Sequence, residues 1–465
     1  MTTYIFPKCA FSFDNKKYLS LLKKQPLQIG LSEREIAKFG LGDSVIFDFG
    51  EELCGGVRIL TYKANNIPVR IRFGESLSES CSEIGEGNSA TNDHSLRDFS
   101  VSLQNYSDMT FGQTGFRFVR MDFLGDVEIK CVVAAALIHS RKPLYTYNGS
   151  DECLCQIYRA AKRTVDLCIS SGYVWDGVKR DRLVWIGDMA PEVLALTTLY
   201  GRMSCIERSL DFAKYQAPLP NWMNKSFPTY SMWWIIILQI YNDRTRSKSY
   251  IKKQMSYLCG LIRQMDECVK EDGELQYPSY FVDWQTHGQP EEKDGSRAIN
   301  IMAVKSAICL LEEFGEDSAL AHALLEKLLK KDIVARKNKK VLALKYFAVG
   351  LSKEEQAELV RGGAEGMSTF MSYYILKAVA SFDRKAAIKM MKDFYGAMLD
   401  KGATTFWEDF NMDWVKNSSR IDAFPKDSEK DIHADYGDFC YKGFRHSLCH
   451  GWSAGIIAFM KEENL

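Results

Sequence analysis

The thirteen residues from Asp176 to Asp188, DGVKRDRLVWIGD, have the side chains best suited to acid–base chemistry. They include three aspartates, two arginines, one lysine and one tryptophan, and they follow neither a helical nor a strand period. Arginine can bind a carboxylate through two hydrogen bonds, so Arg180 and Arg182 can keep one aspartate ionised. Another aspartate, crowded by like charge or by Trp185, can have the raised pKa of a general acid. The segment therefore predicts either an acid–base site or a surface salt-bridge network that precedes the next helix.

A second candidate carboxylate, Glu408, lies in the segment GATTFWEDFNMDW. It directly follows Trp407, after small and β-branched residues that indicate the end of a short strand or a turn. In isolation, a solvated carboxylate would be the simpler interpretation. Hydrolysis of a glycosidic bond, however, uses a pair of carboxyl groups, with room for a water between them when configuration is inverted. Glu408 is the candidate partner for an aspartate of the first segment.

Two further segments combine an indole ring with polar groups. In YFVDWQTHG, Asp283 and Trp284 could accept a hydroxyl and stack on a sugar ring, although Asp283 is equally typical of a helix N-cap. In HSLCHGWSAG, His450 stands beside small residues, where a histidine satisfied within the core is an equal alternative. Six of the nine tryptophans lie in predicted loops, so we expect Trp284 and Trp407 to line a pocket.

Charge and motif spacing exclude several other classes of function. Lysine plus arginine number 60 and aspartate plus glutamate number 60, so there is no basic excess for binding nucleic acid or an anionic membrane. The histidines lack the paired spacing of a zinc site, and the glycine-rich segments lack the context of a phosphate-binding loop. We therefore expect no metal and no cofactor.

The cysteines and the N-terminal sequence indicate the compartment. The chain has 13 cysteines, an odd number, without a C-x-x-C pair, and most occupy apolar positions of helical patterns. The first residues, MTTYIFPKCAFSFDNKK, lack the apolar region of a secretory signal, and no apolar run reaches the roughly 18 residues of a membrane span. We expect a protein of the reducing cytoplasm. The sequence favours no particular oligomeric state.

Two different periodicities divide the chain into two domains. Residues 1–142 contain short segments rich in β-branched and aromatic residues, among them SVIFDFG, GGVRILTY, VRIRFGES and FRFVRMDF, which predict the strands of a β-sandwich. Residues 143–465 contain twelve segments with a helical period, including 248–270 and 446–461, and TYSMWWIIILQIY is apolar on all sides, as an inner helix requires. The expected fold class is therefore multi-domain β plus α, with the β-sandwich followed by an (α/α)6 toroid of six helical hairpins.

Four of these segments, in this order, resemble the bacterial α-L-rhamnosidases of glycoside hydrolase family 78: DGVKRDRLVWIGD, DWQ, GATTFWE and SLCHGWSAG. The segments FDFGEELCGGVRI, VRIRFGESL and TGFRFVRMDF resemble the β-sandwich of the same family. The resemblance implies an (α/α)6 barrel that hydrolyses terminal α-L-rhamnosides with inversion and without a cofactor. Asp181 stands where most members have glutamate, and many members carry a β-sandwich after the barrel, whereas this sequence ends at Leu465, shortly after SLCHGWSAG.

The resemblance also implies a role for each candidate residue. Asp181 would be the general acid and Glu408 the general base that activates water. Asp176 and Asp188 would bind rhamnose hydroxyls, and the indoles would pack against the ring and its methyl group. The complete set predicted to bind the carbohydrate substrate is Asp176, Arg180, Trp185, Asp188, Asp283, Trp284, Trp407 and His450.

Two alternatives to this function stay open from the sequence. A toroid of this kind could release a different sugar or cleave an unsaturated uronide. The chain could also be a catalytically silent sugar-binding protein, because Asp181 is one methylene shorter than the usual glutamate.

Overall fold

The computed structural model describes residues 2–14, 17–32, 34–85, 87–138, 141–225 and 227–465. The N-terminal part is a seven-stranded antiparallel sheet with one short helix. Its elements are β1 (Thr2–Ile5), β2 (Cys9–Phe11), β3 (Ala37–Phe39), β4 (Ser44–Gly74), α1 (Leu77–Cys81), β5 (Asp98–Gln104), β6 (Ser107–Phe123) and β7 (Val127–Leu137).

Strand β4 runs through most of the sheet and pairs with β2, β5, β6 and β7. Its register against β6 shifts after Asp48, after Gly55 and after Thr61, and such irregularities bend a strand and increase its twist. A side chain at Gly55 would meet the carbonyl oxygen of Ala135 at 2.1 Å, so this close approach of β7 requires glycine. The sequence predicted three separate strands over this range, whereas backbone pairing continues between them.

The curled sheet encloses its own apolar core. The largest wholly buried side chains of this core are Phe47, Phe49, Phe73, Phe116 and Phe123. Strand β4 is hydrogen-bonded to β2, β5, β6 and β7. In the part of the chain that the structure describes, the strands therefore form one continuous curled sheet instead of the two packed sheets of the predicted sandwich.

Helices dominate from residue 152 onward. The elements are α2 (Glu152–Leu167), β8 (Ile169–Ser170), β9 (Tyr173–Val174), α3 (Met189–Tyr200), α4 (Ser204–Gln216), α5 (Thr229–Thr245), α6 (Lys248–Lys252), α7 (Met255–Glu267), α8 (Glu292–Phe314), α9 (Ala319–Leu328), α10 (Lys339–Val349), α11 (Lys353–Val360), α12 (Ser372–Ala380), α13 (Arg384–Asp400) and α14 (Ile456–Glu462).

All twelve predicted helical segments contain helix, with two differences. The segment predicted over 248–270 is split into α6 and α7, where the buried side chain of Gln254 hydrogen-bonds Asp211 and Lys214 and the backbone turns more tightly. The segment predicted over 446–461 becomes α14 only from Ile456. Before α14 the backbone N–H groups of Ser447 and Leu448 bond carboxylates, those of His450 and Gly451 bond carbonyl oxygens of other segments, and residues Gly451–Gly455 form a 3-10 helix.

Six helices contact one another in a closed order: α3, α5, α8, α10, α12 and α14, which contacts α3 again. Helix α5 is buried on all sides, including Trp233, Trp234 and Tyr241, as its uniformly apolar sequence predicts. The other helices pack outside this order, for example α9 on α7 and α8, and α13 on α2 and α12. The loops that precede α3 and α14 are consequently neighbours.

Among the helices of the described ranges, none has the length and apolar content needed to cross a bilayer. All 13 cysteines lie within those ranges and are free thiols.

Candidate active site

Three loops bring the predicted site together. They are the acidic loop (residues 175–188), the Glu408 loop (residues 403–410) and the Ser447 segment (residues 446–451). Three backbone hydrogen bonds join them: Gly451 N–H to Asp176 O at 2.7 Å, His450 N–H to Phe406 O at 3.0 Å, and Glu408 N–H to Ser447 O at 2.9 Å. Residues more than 200 positions apart in the sequence therefore share one buried cluster.

Arg180 links the two carboxylates that the sequence predicted as the acid and the base. Its guanidinium donates to Asp181 Oδ1 at 3.0 Å and to Glu408 Oε1 at 2.5 Å. Its Nε donates to the carbonyl oxygen of Arg445 at 3.1 Å. Burial alone would lower the pKa of Arg180, but Glu408 and Asp181 raise it above its ordinary value. The group is therefore a permanent positive charge between the two carboxylates.

Asp181 lies at a sharp turn of the acidic loop. Its φ is +53° and that of Arg182 is +58°, a left-handed conformation that is costly for residues other than glycine and is concentrated at functional sites. Its Oδ2 accepts a hydrogen bond from Trp185 Nε1 at 3.2 Å, and its Oδ1 lies 3.1 Å from His94 Nδ1. The Asp181 side chain keeps 16 % of its exposure, more than Glu408 with 5 %, so solvent and a leaving group can reach it.

Glu408 is held by protein donors on both its side chain and its backbone. Oε2 accepts from Ser447 N–H at 3.0 Å, in addition to the Arg180 contact at Oε1. Its carbonyl oxygen accepts from Thr369 Oγ1 at 2.6 Å and from Trp452 Nε1 at 2.8 Å. A carboxylate fixed in this way is held in one orientation.

Asp176, Asp188 and His450 form the buried floor of the site. His450 Nε2 lies 3.9 Å from Asp176 Oδ2, 3.8 Å from Asp188 Oδ2 and 3.7 Å from Glu408 Oε1. Burial raises the pKa of Asp176 and of Asp188 well above the usual range, and neighbouring carboxylates add to the effect. Burial lowers the pKa of His450 to about 3, so the imidazole is neutral at physiological pH. The floor thus offers both donors and acceptors to hydroxyl groups.

Two groups of side chains have the composition of a metal site. Asp176, Asp188 and His450 have ligand atoms within 4.8 Å of one another, and so do Glu75, Glu79 and His433. Arg180 lowers the pKa of His450, so a positive charge already faces the first group. Lys179 Nζ occupies the second group, 3.2 Å from Glu79 and 3.4 Å from His433. The expectation of no metal stays a prediction.

Glu192 is a buried carboxyl group that sequence reasoning missed. It is wholly buried on the first turn of α3, and neither of its oxygens has a hydrogen-bond partner among the described residues. A side chain at Gly451 would collide with Glu192 Oε1 at 1.6 Å, so glycine at this position makes room for the carboxyl group. Burial, then Asp188 and Asp176, raise its pKa well above the usual range. The spacing of four residues from Asp188, one helical turn, was the signal that could have identified it.

We predict that Glu192→Gln changes the pH dependence of stability. A carboxyl group with a raised pKa stabilises the folded protein fully below its unfolded pKa of about 4.3, and this contribution is lost as the pH rises toward the folded value. The melting temperature of Glu192→Gln minus that of the wild type should therefore increase by about 2 °C or more from pH 5 to pH 8. Thermal unfolding at both pH values measures this, with the exposed Glu326→Gln as control; parallel curves for all three proteins would refute it.

The three tryptophans that were predicted to bind the sugar differ in how exposed their rings are. Trp185 and Trp284 are partly buried, and Trp284 packs among aromatic rings that include Phe281 and Phe439. Trp407 is wholly covered and contacts Phe410 and His446, so its ring shows no open face. It lies in the core behind Glu408 rather than on a pocket wall.

Asp283 supports its own loop. One oxygen accepts from Thr286 N–H at 2.9 Å and the other from Ser368 Oγ at 2.7 Å, so both are bound by protein donors. The alternative of a helix N-cap is not what the structure has, because α8 begins only at Glu292. Asp283 closes a turn in the loop before that helix.

A cavity of about 520 Å³ adjoins the Glu408 loop. It is lined by Trp284, Gln285, Lys340, Asp409, Asn411 and Tyr441, among others. Burial raises the pKa of Asp409 to about 7, and its carboxylate accepts from Gln285 Nε2. Sequence reasoning missed Asp409 because the adjacent Glu408 was the stronger candidate in that segment.

Several solved structures are similar to this chain. A rhamnosidase from Klebsiella oxytoca, solved with rhamnose bound, has a TM-score of 0.77 at 18 % identity and matches 100 % of this chain and 96 % of its own. A family 78 rhamnosidase of Bacillus sp. GL1 has a TM-score of 0.73 at 16 % identity, with 96 % and 48 % covered. An α-L-rhamnosidase from Aspergillus terreus has a TM-score of 0.68 at 15 % identity, with 92 % and 54 % covered.

The chain thus spans nearly the whole Klebsiella protein and about half of the other two. No protein-family model and no curated protein sequence matches it. At such low identity the likeness concerns the fold, and on that evidence the chain has the fold of the family 78 α-L-rhamnosidases.

Proposed function

We propose that this protein is a glycoside hydrolase that cleaves terminal α-L-rhamnosides with inversion of configuration. The observation that carries the proposal is the position of Arg180, which donates one hydrogen bond to Asp181 and another to Glu408. Two carboxyl groups from distant segments thereby face each other across one guanidinium, beside a floor rich in polar groups. Inverting glycosidases need such a pair with space for one water.

In the proposed reaction Glu408 is the base and Asp181 is the acid. A water on the face of the sugar ring opposite Asp181 gives a proton to Glu408 while its oxygen bonds to the anomeric carbon. The glycosidic C–O bond breaks as Asp181 gives its proton to the departing oxygen. Arg180 and the Ser447 N–H hold the Glu408 carboxylate in place before the reaction.

The floor and the indoles would bind the sugar. Asp176, Asp188 and the neutral His450 are placed to hydrogen-bond hydroxyls, and Trp185 and Trp284 supply apolar surface for a 6-deoxy ring and its methyl group. Asp283 would hold in place the loop that carries Trp284, and Trp407 would do the same for the Glu408 loop. We further propose that the six helices in closed contact are the inner ring of an (α/α)6 toroid.

A second candidate function is sugar binding without turnover. Both oxygens of Asp181 already accept hydrogen bonds, from Arg180 and from the Trp185 indole, and its side chain is one methylene shorter than the usual glutamate, which limits its reach toward a leaving oxygen. A chain that kept the floor and lost the acid would still bind rhamnose.

A panel of p-nitrophenyl glycosides distinguishes these functions. We expect release of p-nitrophenol from the α-L-rhamnoside and much slower release from the α-L-fucoside, α-D-mannoside and β-D-glucoside. Fast release from one of the other sugars would show the toroid to have a different specificity. Calorimetric binding of L-rhamnose without turnover of any glycoside would support the silent sugar-binding protein.

A further inference from the structure

A buried cluster of charges lies where the sheet domain meets the catalytic loops. Its members are Glu75 at the end of β4, Glu79 on α1, Lys179 of the acidic loop, and His433. All four are buried, and burial lowers the pKa of His433 well below its usual value, so His433 is neutral. Lys179 is therefore the cation that the two glutamates share.

Glu75 contacts the Ser447 segment directly. One oxygen accepts from Leu448 N–H at 2.5 Å and the other lies 3.1 Å from Ser447 Oγ. The Glu75 side chain is wholly buried and its Oε2 also lies 3.1 Å from Lys179 Nζ. Lys179 itself donates to the carbonyl oxygens of Phe444 and His446. The Glu75 carboxylate thus contacts both the Ser447 segment and Lys179 of the acidic loop, the two segments that carry the donors to the Glu408 carboxylate.

Each donor to the Glu408 carboxylate, Arg180 or Ser447, is adjacent in sequence to a contact of Glu75. The Ser447 N–H donates to Glu408 Oε2, and Leu448, the next residue, donates to Glu75. Arg180 donates to Glu408 Oε1, and Lys179, the preceding residue, is paired with Glu75. A shift of the Glu75 carboxylate would therefore displace both donors of the base at once.

We propose that Glu75, supplied by the sheet domain, is a positioning residue that sets the place of Glu408 through the Ser447 segment and Lys179. This inference rests on the proposed function of Glu408 as the base. It makes the sheet domain part of the catalytic apparatus, although no strand residue needs to contact the sugar.

Glu79 offers a matched control. It is a buried glutamate that also pairs with Lys179, at 3.2 Å, and its other oxygen accepts from Glu75 N–H at 2.8 Å. It contacts neither Ser447 nor Leu448 in the described contacts. Loss of Glu79 should therefore weaken the fold without moving the base.

The ionisation of Glu75 offers a second readout. Burial raises its pKa to about 7, with Lys179 opposing and Glu79 adding to the rise. The charged groups that face it are Lys179 from the acidic loop, Glu79 from α1 and Glu52 from β4. An ionised carboxylate accepts stronger hydrogen bonds than a neutral carboxylic acid. Above pH 7 the Ser447 segment should therefore be held more firmly, and kcat should rise in a step near pH 7.

The test compares Glu75→Gln and Glu79→Gln with the wild type on p-nitrophenyl α-L-rhamnoside. We expect Glu75→Gln to lower kcat by about 10- to 100-fold, to change KM by less than about 3-fold, and to lose the step near pH 7. Glu79→Gln should lower the melting temperature and keep most of kcat, and its step should persist at a lower pH because Glu79 no longer adds to the rise in the pKa of Glu75. A wild-type kcat and step in Glu75→Gln would overturn the inference, and so would equal losses in both variants with the step intact.

Two further measurements cover the remaining outcomes. If Glu75→Gln does not fold, Ser447→Ala removes one of the contacts of Glu75 and keeps the N–H donor to Glu408. Then kcat should fall about 3- to 10-fold, and an unchanged kcat would overturn the inference.

If the wild type cleaves no glycoside, the proposed function fails, and a crystal structure of Glu75→Gln, or of Ser447→Ala, decides the inference. The distance from Ser447 N to Glu408 Oε2 should then exceed about 3.5 Å, and an unchanged contact would overturn it.

Discussion

Replacing Glu408 with glutamine is expected to lower kcat for p-nitrophenyl α-L-rhamnoside by about 10³- to 10⁴-fold, the range of a lost general base. Glutamine keeps the shape of the side chain, and its one amide oxygen can accept from either Arg180 or the Ser447 N–H. It cannot take a proton from water. KM should change little, because Glu408 is proposed to act on the water and not to bind the sugar ring.

The measurement is steady-state kinetics with the melting temperature of each variant. The exposed Glu326→Gln serves as the control for expression and handling. A folded Glu408→Gln enzyme that retains more than a tenth of the wild-type kcat would exclude Glu408 as the base.

The second large effect is expected for Asp181→Asn, and it should depend on the leaving group. p-Nitrophenol departs readily without protonation, whereas a sugar hydroxyl needs a proton from the acid. We expect kcat/KM to fall about 10³- to 10⁴-fold for a rhamnosyl disaccharide and only about 10-fold for the p-nitrophenyl glycoside. Asparagine still accepts from Trp185 Nε1, so the loop should keep its turn.

Asp181→Glu is the matched variant for the acid. It keeps the carboxyl group and adds the methylene that most family 78 members have at this position. It should retain far more activity toward the disaccharide than Asp181→Asn. Equal losses for both substrates in Asp181→Asn would indicate damage to the pocket rather than loss of an acid.

The segments that form the candidate site could be picked out from the sequence because their charged and aromatic residues are concentrated in short stretches. Asp181 and Arg180 are neighbours in sequence, and Glu408 stands out beside Trp407. The helices were predictable for a similar reason, since α5 is apolar on every side and the period of α2 follows a possible N-cap at Asp151. Local pattern was sufficient wherever one segment determines its own structure.

Long-range contacts account for what the sequence could not predict. Glu75 directly follows strand β4, and only the folded chain places it against Leu448, 373 positions away. The residues before Ile456 fit a helical period, but the N–H groups of Ser447 and Leu448 bond Glu408 and Glu75, and α14 starts later. Trp407 has the composition of a pocket wall, yet the surrounding rings cover it completely. Such outcomes depend on partners that no sequence window contains.

Arg180 is central to the proposed mechanism because it contacts both carboxyl groups. The proposed reaction requires an ionised Glu408 and an Asp181 that holds a proton when the substrate is bound. The partial exposure of Asp181 and its contact with His94 provide routes by which that proton can be supplied. The acid and the base thus differ in their access to solvent rather than in their distance from the arginine.

The stereochemistry of the first product tests the central claim most directly. Proton NMR of p-nitrophenyl α-L-rhamnoside during hydrolysis records which anomer of rhamnose forms before mutarotation. If Glu408 activates water opposite Asp181, β-L-rhamnose appears first and the α-anomer follows at the rate of mutarotation. If α-L-rhamnose appears first, the two carboxyl groups do not act as an inverting pair.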